Sequence, residues 1–248
     1  GSLILYDFKA TANQAAGFNP ASPEFVNLGT YTGRTSLTPI LGGDRSYSQS
    51  KGAITAESDS AQFPVENLSA EQLFNSTDSF LVILWASRRA TNLGNFSFSG
   101  YLTKGTGTSG SGDQTLAILN DGTSPANIVQ MKVRLSDTAG PATEIASTPG
   151  PTTGGAPVQL ALHWFLDGTQ WKAHAYSNKT KDSEELSSAN PLWIATIYNL
   201  QFFGNLGGNG NKGSQVHRLV VENLTQSGRS VSDVLDLDYA YSNGRFSS

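Results

Sequence analysis

The run Val158-Gln159-Leu160-Ala161-Leu162-His163-Trp164-Phe165-Leu166, the group Asp167-Gly168-Thr169-Gln170 and the run Trp171-Lys172-Ala173-His174-Ala175-Tyr176-Ser177 together decide the fold. Two alternating runs separated by a short group containing Asp-Gly are the punctuation of a β-hairpin. Side chains directly opposite each other in a hairpin point the same way, and the period of two assigns each residue a face. Whether the loop counts two residues or four, Leu160, Leu162, Trp164 and Leu166 share a face with Trp171, Ala173 and Ala175. The opposite face carries His163, Phe165, Lys172, His174 and Tyr176. A sheet that is apolar on one side and polar on the other is antiparallel in character.

The same pattern extends in both directions. Residues 80–85 (Phe-Leu-Val-Ile-Leu-Trp) are apolar on both faces, which predicts a central strand covered on both sides. Residues 4–8 read as a first strand. Residues 12–60 read as irregular, with short strands only at 25–28 and 47–54. Further strands are predicted at 95–102, at 115–119 before the turn Asn120-Asp121-Gly122, and at 128–135. In the last of these Val129, Met131, Val133 and Leu135 alternate with Gln130, Lys132 and Arg134. Segments 103–112, 141–157 and 204–213 are rich in Gly, Pro, Ser, Thr or Asn and read as loops. Residues 178–188 read as a polar stretch with at most one helical turn. Strands follow at 192–198, 200–203 and 216–223.

Helical spacing is rare. Residues 69–74 form one capped turn, with Gln72 three residues after Ser69. Residues 230–237 place Val231, Val234 and Leu235 at helical intervals, and 238–241 is expected to return as a strand beside the first. No internal repeat of fixed period is present. The fold class expected is therefore all-β: a two-sheet antiparallel sandwich with one or two short helices, spanning 1–248 as a single domain.

Composition removes several functions. Charged residues make up only 15% of 248, the formal net charge is −4, and no Lys/Arg run exists, so the electrostatic footprint of nucleic-acid binding is missing. The absence of cysteine excludes disulfides and thiolate metal sites. No apolar run reaches the roughly 18 residues that span a bilayer, so no membrane insertion through a helix is expected. The N-terminus shows no charged start followed by an apolar stretch, and Gly1-Ser2 reads as a cloning scar.

The order of segments 80–88, 101–105, 114–122, 159–167, 170–176, 192–204 and 215–224 resembles a concanavalin A-like or laminin G-like jelly roll. The closing segment, from Val216-His217-Arg218-Leu219-Val220-Val221-Glu222 to Ser227-Gly228-Arg229-Ser230-Val231, is similar to that of jelly rolls in tailed-phage virion proteins (tail or capsid surface). The resemblance implies a non-catalytic carbohydrate-binding or virion-surface structural module that recognises a host surface glycan. It also implies placement on a virion surface or outside the cell. The implied partners are a surface polysaccharide, other virion proteins or further copies of the chain.

The polar hairpin face is the candidate ligand surface. If strand 128–135 lies in the same sheet, Gln130, Lys132, Arg134, His163, Lys172, His174 and Tyr176 line one basic surface suited to an anionic sugar. The plainer reading is an ordinary solvent-facing strand surface.

A polysaccharide lyase acting on an acidic glycan is the catalytic alternative. It needs a carboxylate neutraliser, a base and an acid, roles open to Arg134, His163, His174 and Tyr176. Lys172-Ala173-His174-Ala175-Tyr176 and Gln215-Val216-His217 resemble fragments of jelly-roll alginate lyases, in reversed order and without their arginine-rich strand. The paired-carboxylate strand of jelly-roll glycosidases is absent, Asp236-Leu237-Asp238 being the nearest approach. A purely architectural virion role stays open. No cofactor is required, and a calcium ion would draw on Asp113, Asn120 and Asp121, or on Asn205, Asn209 and Asn211. Trp85, Trp164, Trp171 and Trp193 are expected in the core.

Overall fold

The computed structural model describes residues 2–30, 36–37, 44–58, 63–66, 77–88, 97–102, 114–120, 128–133, 143–152, 154–189, 197–202 and 212–247. Its strands in chain order are β1 (Ser2–Asp7), β2 (Phe25–Val26), β3 (Ser36–Leu37), β4 (Arg45–Ser48), β5 (Ala53–Ala56), β6 (Phe63–Glu66), β7 (Phe80–Arg88) and β8 (Ser97–Leu102). They continue with β9 (Gln114–Asn120), β10 (Ile128–Val133), β11 (Thr143–Pro149), β12 (Val158–Asp167), β13 (Gln170–Ser177), β14 (Thr180–Ser188), β15 (Ile197–Phe202) and β16 (Ser214–Asn223). Two short helices close the chain, α1 (Leu224–Ser227) and α2 (Val231–Ser242).

The deciding hairpin is β12–β13. Leu166 stands opposite Trp171, His163 opposite His174 and Asp167 opposite Gln170, so the face assignment holds and the loop has two residues. Gly168 adopts φ +60° and Thr169 does not follow it into positive φ, the arrangement of a type II′ turn with Gly first. The next hairpin, β13–β14, turns on Asn178 (φ 46°) and Lys179 (φ 70°), both left-handed as in a type I′ turn. Residues 180–188 are therefore a strand, where a polar stretch with at most one helical turn was expected. The strand is polar because it is an edge, and charge on an edge blocks pairing with another chain.

The first sheet runs β14-β13-β12-β7-β16-β5-β4, with β1 also on β16. The far edge of β16 is shared: Gln215 and Val216 pair with β5, and Arg218 to Glu222 pair with β1. The second sheet runs β11-β10-β9-β8-β15-β6, and every pairing among the described residues is antiparallel. The two sheets meet where β11 packs against β13 and β14, with Ser177 Oγ donating to the Pro149 carbonyl at 2.8 Å.

Four other expectations change. The stretch 141–157 holds the edge strand β11, with Pro149 at its end where no ladder donor is needed. The strand expected at 47–54 is two strands folded back at Gly52, whose φ of +60° and close approach to Lys9 exclude a side chain. The strands expected at 192–198 and 200–203 are represented by one strand, β15, over the described part. Residues 238–241 continue α2 instead of returning as a strand. The helical turn at 69–74 lies outside the described residues.

β7 is covered on both faces, as its sequence requires. Phe80, Val82 and Leu84 join Leu160, Leu162, Trp164, Trp171, Leu219 and Val221 between the sheets, where they meet Ile118 of β9 and Met131 of β10. Phe80 and Trp164 stack with ring centroids 5.6 Å apart. Leu81, Ile83 and Trp85 face the other way, under Val234 and Leu235 of α2 and the Phe246 ring. Each fully buried side chain of this size contributes roughly 1.5–3 kcal/mol.

α2 starts on a cap, Ser230 Oγ accepting from the Asp233 amide at 3.1 Å. It is pinned by its buried Asp238, which accepts from Trp85 Nε1 (2.7 Å), Gln159 Nε2 (2.8 Å) and Arg218 Nε (2.8 Å). Arg218 Nη1 reaches Asp7 at 3.0 Å, and Arg245 binds the same Asp7 carboxylate. No helix among the described residues is long and apolar enough to cross a membrane.

Candidate functional site

The polar face of the β12–β13 hairpin lies on the outer side of the first sheet, beside α2. Ala161 and its partner Tyr176 mark this side, since both pack with the residues under the helix. Further along the strands the rings form a row. His163 and Phe165 stack at 4.6 Å with planes 12° apart, His174 stands edge-on to Phe165 at 5.3 Å, and Tyr176 follows His174 at 6.5 Å. His163 is buried, 6% exposed, while Phe165, His174 and Tyr176 are half-buried.

His163 Nε2 shares a hydrogen bond of 2.9 Å with Ser79 Oγ. Burial, reinforced by the nearby His174 and Lys181, lowers its pKa to about 3, so the ring is neutral. The Tyr176 hydroxyl is pushed up by burial and stays protonated as a donor. His174 Nε2 meets the Glu185 carboxylate from β14. Lys181 Nζ lies 3.1 Å from the same nitrogen and 3.5 Å from Glu185. The hydrogen bond from His174 holds Glu185 below the ordinary carboxylate range.

Lys172 Nζ lies 2.9 Å from Asp167 and 3.6 Å from Glu185, and the Asp167 hydrogen bond raises its pKa. The surface is thus charge-compensated instead of basic, because Asp167 and Glu185 absorb both lysines.

A hollow of about 410 Å³ opens where this face meets α2, lined by Tyr176, Lys179, Val231, Ser232, Leu235 and Asp236. Tyr176 belongs to both the ring row and the hollow. Lys179 projects from the left-handed turn, pairs with Asp236 at 3.0 Å and lies 5.1 Å from the Tyr239 ring centroid. Ser232 and Asp236 are four residues apart on α2 and so share a face. Tyr176 was legible as a site residue. Lys179, Ser232 and Asp236 were not, since their meeting depends on how α2 lies across the sheet.

The other expected residues are elsewhere. Gln130 and Lys132 lie on β10, which pairs with β9 and β11 in the second sheet, so the condition for one joint surface is not met. Alternation fixes the face of a strand but says nothing of which sheet it joins. Arg134 lies just beyond β10, outside the described residues. Of the four lyase candidates, His163, His174 and Tyr176 share a face.

Asp113, Asp121, Asn205, Asn209 and Asn211 lie outside the described residues, and Asn120 ends β9. Among the described residues no three His, Asp or Glu side chains gather closely enough to hold a metal ion. His217 is buried at a different place, sharing a 2.7 Å hydrogen bond with Ser87 Oγ. Trp85, Trp164 and Trp171 are core residues as expected, and Trp193 lies outside the described residues.

No protein-family model matches the chain, and no curated protein matches it. Solved structures do. The chain is similar to Trypanosoma rangeli sialidase at a TM-score of 0.54 with 11% identity, over 99% of this chain and 33% of the sialidase. It is similar to the binding domain of botulinum neurotoxin serotype D at a TM-score of 0.55 with 9% identity, over 97% of this chain and 50% of that one. The sandwich is a jelly roll. The chain spans a third and a half of the lengths of these two proteins, and at such identities the likeness is one of fold.

Proposed function

We propose that this chain is a non-catalytic carbohydrate-binding module and that the hollow beside Tyr176 takes a sugar ring. The observation that carries the reading is the hollow itself, about 410 Å³, lined by the Tyr176 ring, the aliphatic side chains of Val231 and Leu235, and the polar groups of Lys179, Ser232 and Asp236. Sugars present a flat patch of C–H groups and a rim of hydroxyls that both donate and accept. Tyr176 offers a surface for the first. The Lys179–Asp236 pair and the Ser232 hydroxyl offer donors and acceptors for the second. The compensated charges of Lys172, Lys181, Asp167 and Glu185 suit hydroxyl recognition better than they suit a polyanion.

A sialidase is among the chains that this one resembles in fold, and this supports a sugar ligand. We read the ligand as a host surface glycan and the setting as a virion surface or another extracellular assembly, on the strength of the closing-segment resemblance. The lyase is the second reading, favoured by the shared face of His163, His174 and Tyr176.

The test is binding of the purified chain to an array of neutral and acidic bacterial glycans, with and without a chelator. Ultraviolet absorbance of unsaturated sugars is followed in the same samples. The expected result is saturable, chelator-insensitive binding without an absorbance change. Tyr176→Ala should weaken it by about tenfold while its thermal melt stays cooperative. Rising absorbance would establish the lyase. Equal binding by wild type and a folded Tyr176→Ala would remove the hollow as the site, and no binding at all would favour an architectural role.

A further inference from the structure

Arg88 is the last residue of β7, and it is 2% exposed. Alternation continues the inner row of Phe80, Val82, Leu84 and Ala86, so the side chain enters the space between the sheets at the end of the sandwich. Buried Ser214 stands opposite it on β16. The segment with buried Gly150 and Pro151 closes over the strand end, the Gly154 amide donating to the Arg88 carbonyl at 3.0 Å.

Arg88 Nε and Nη2 are both buried without a hydrogen-bond partner among the described residues. The contrast with Arg218 is direct. That guanidinium is also buried, yet it holds Asp238 through Nε and Asp7 through Nη1. Burial lowers the pKa of Arg88, but a guanidinium keeps its proton in proteins, so a buried cation with no hydrogen-bonded counter-charge among the described residues remains.

The two orphan nitrogens are also not an arbitrary pair. Nε–H and the Nη2–H beside it point in parallel from one edge of the guanidinium, which is the fork that grips two oxygens of a carboxylate or sulfate. An unpaired buried charge is among the costliest features a fold can carry, and an anion seated on this edge removes the cost.

We infer that Arg88 anchors a binding site for an oxyanion, a carboxylate or sulfate group gripped through Nε and Nη2. The site is separate from the Tyr176 hollow and does not depend on it. Two sources share the chemistry: a free small oxyanion and the acidic group of a sugar.

Thermal melts test it with sodium sulfate, sodium glucuronate and glucose, each against sodium chloride at equal ionic strength. A ligand bound only by the folded state raises the melting temperature along a saturating curve. Wild type should respond in this way to sulfate, whereas Arg88→Met should keep only the featureless salt effect seen at any surface. Arg88→Lys, with the charge but not the fork, should bind at least about tenfold more weakly. Tyr176→Ala should leave the sulfate response in place, which separates this site from the hollow. A response to glucuronate that exceeds that to sulfate would identify the sugar acid as the source, and the reverse order the free oxyanion.

Identical sulfate curves for wild type and Arg88→Met would overturn the inference. If Arg88→Met does not fold, calorimetric titration of wild type with sulfate decides. Saturable heat that weakens in Arg88→Lys supports the site, and a flat titration ends it.

Discussion

Asp238→Ala is the perturbation that most directly tests how the fold is held. Asp238 is buried on the inner face of α2 and accepts three hydrogen bonds, from Trp85, Gln159 and Arg218. Removing one member of a buried ion pair costs about 3–5 kcal/mol, because the other charge stays buried. Arg218 keeps Asp7, which places its share near the low end, about 3 kcal/mol. Trp85 Nε1 loses its acceptor at a cost of about 1–3 kcal/mol, while Gln159 Nε2 retains the Leu235 carbonyl at 3.2 Å.

The total is about 4–6 kcal/mol, and for a chain of 248 residues this lowers Tm by roughly 8–24 °C. Urea unfolding followed by tryptophan fluorescence measures the first quantity, and scanning calorimetry the second. Asp236→Ala is the internal control: its carboxylate is largely exposed and pairs on the surface with Lys179, so the loss should stay below about 1 kcal/mol. A loss for Asp238→Ala no larger than that of the control would refute the claim that the buried network pins the helix.

Two further predictions concern pH and the deciding turn. His163 and His217 are neutral in the folded chain, with pKa values lowered to about 3 and about 4, mainly by burial. Both are near 6.5 when unfolded. The unfolded state therefore binds more protons below about pH 6.5, so this stability is complete above that pH. It falls as pH drops toward 4, by up to about 1.4 kcal/mol per pH unit for each histidine. Urea midpoints at a series of pH values check this, and His163→Gln should flatten the curve; an unchanged slope would contradict the burial argument. Gly168→Ala should cost about 1–2 kcal/mol from its φ of +60° alone, since an added Cβ meets nothing within 4 Å; a neutral result by urea unfolding would argue against the type II′ turn.

The β12–β13 faces were legible because they rest on a strictly local rule. Opposed residues share a side, and eight registered pairs from Leu160–Ser177 to Asp167–Gln170 obey it. The burial of β7 was legible for the same reason. Partners were not. Residues 128–133 alternate as cleanly as β12 does, yet they belong to the other sheet, and no local pattern could say so.

β14 escaped because an edge strand need not be apolar and because its turn uses Asn178-Lys179 where Asn-Gly is the expected signal. The site suffered the same limit. Its strand residue, Tyr176, could be read from the sequence, while its helix residues required the docking of α2 to be known.

That docking also explains why α2 runs past the point where its apolar pattern ends. Leu237 points outward, 63% exposed, and the inward positions beyond Leu235 are Asp238 and Ser242. A hydrophobic criterion stops at Leu235, but Trp85, Gln159 and Arg218 supply the donors that satisfy a buried carboxylate there. The same turn of helix holds Asp236 at the hollow and Asp238 against the sheet, so the binding wall is only as fixed as the buried network behind it.

The two aspartates should then dissociate in experiment. Asp236→Ala should weaken glycan binding and leave stability nearly intact. Asp238→Ala should lower stability and also weaken binding, although its side chain does not line the hollow. If a folded Asp238→Ala bound glycan as wild type does, the wall formed by α2 would be irrelevant to recognition. The ring row of His163, Phe165, His174 and Tyr176 would then have to carry the ligand without the helix.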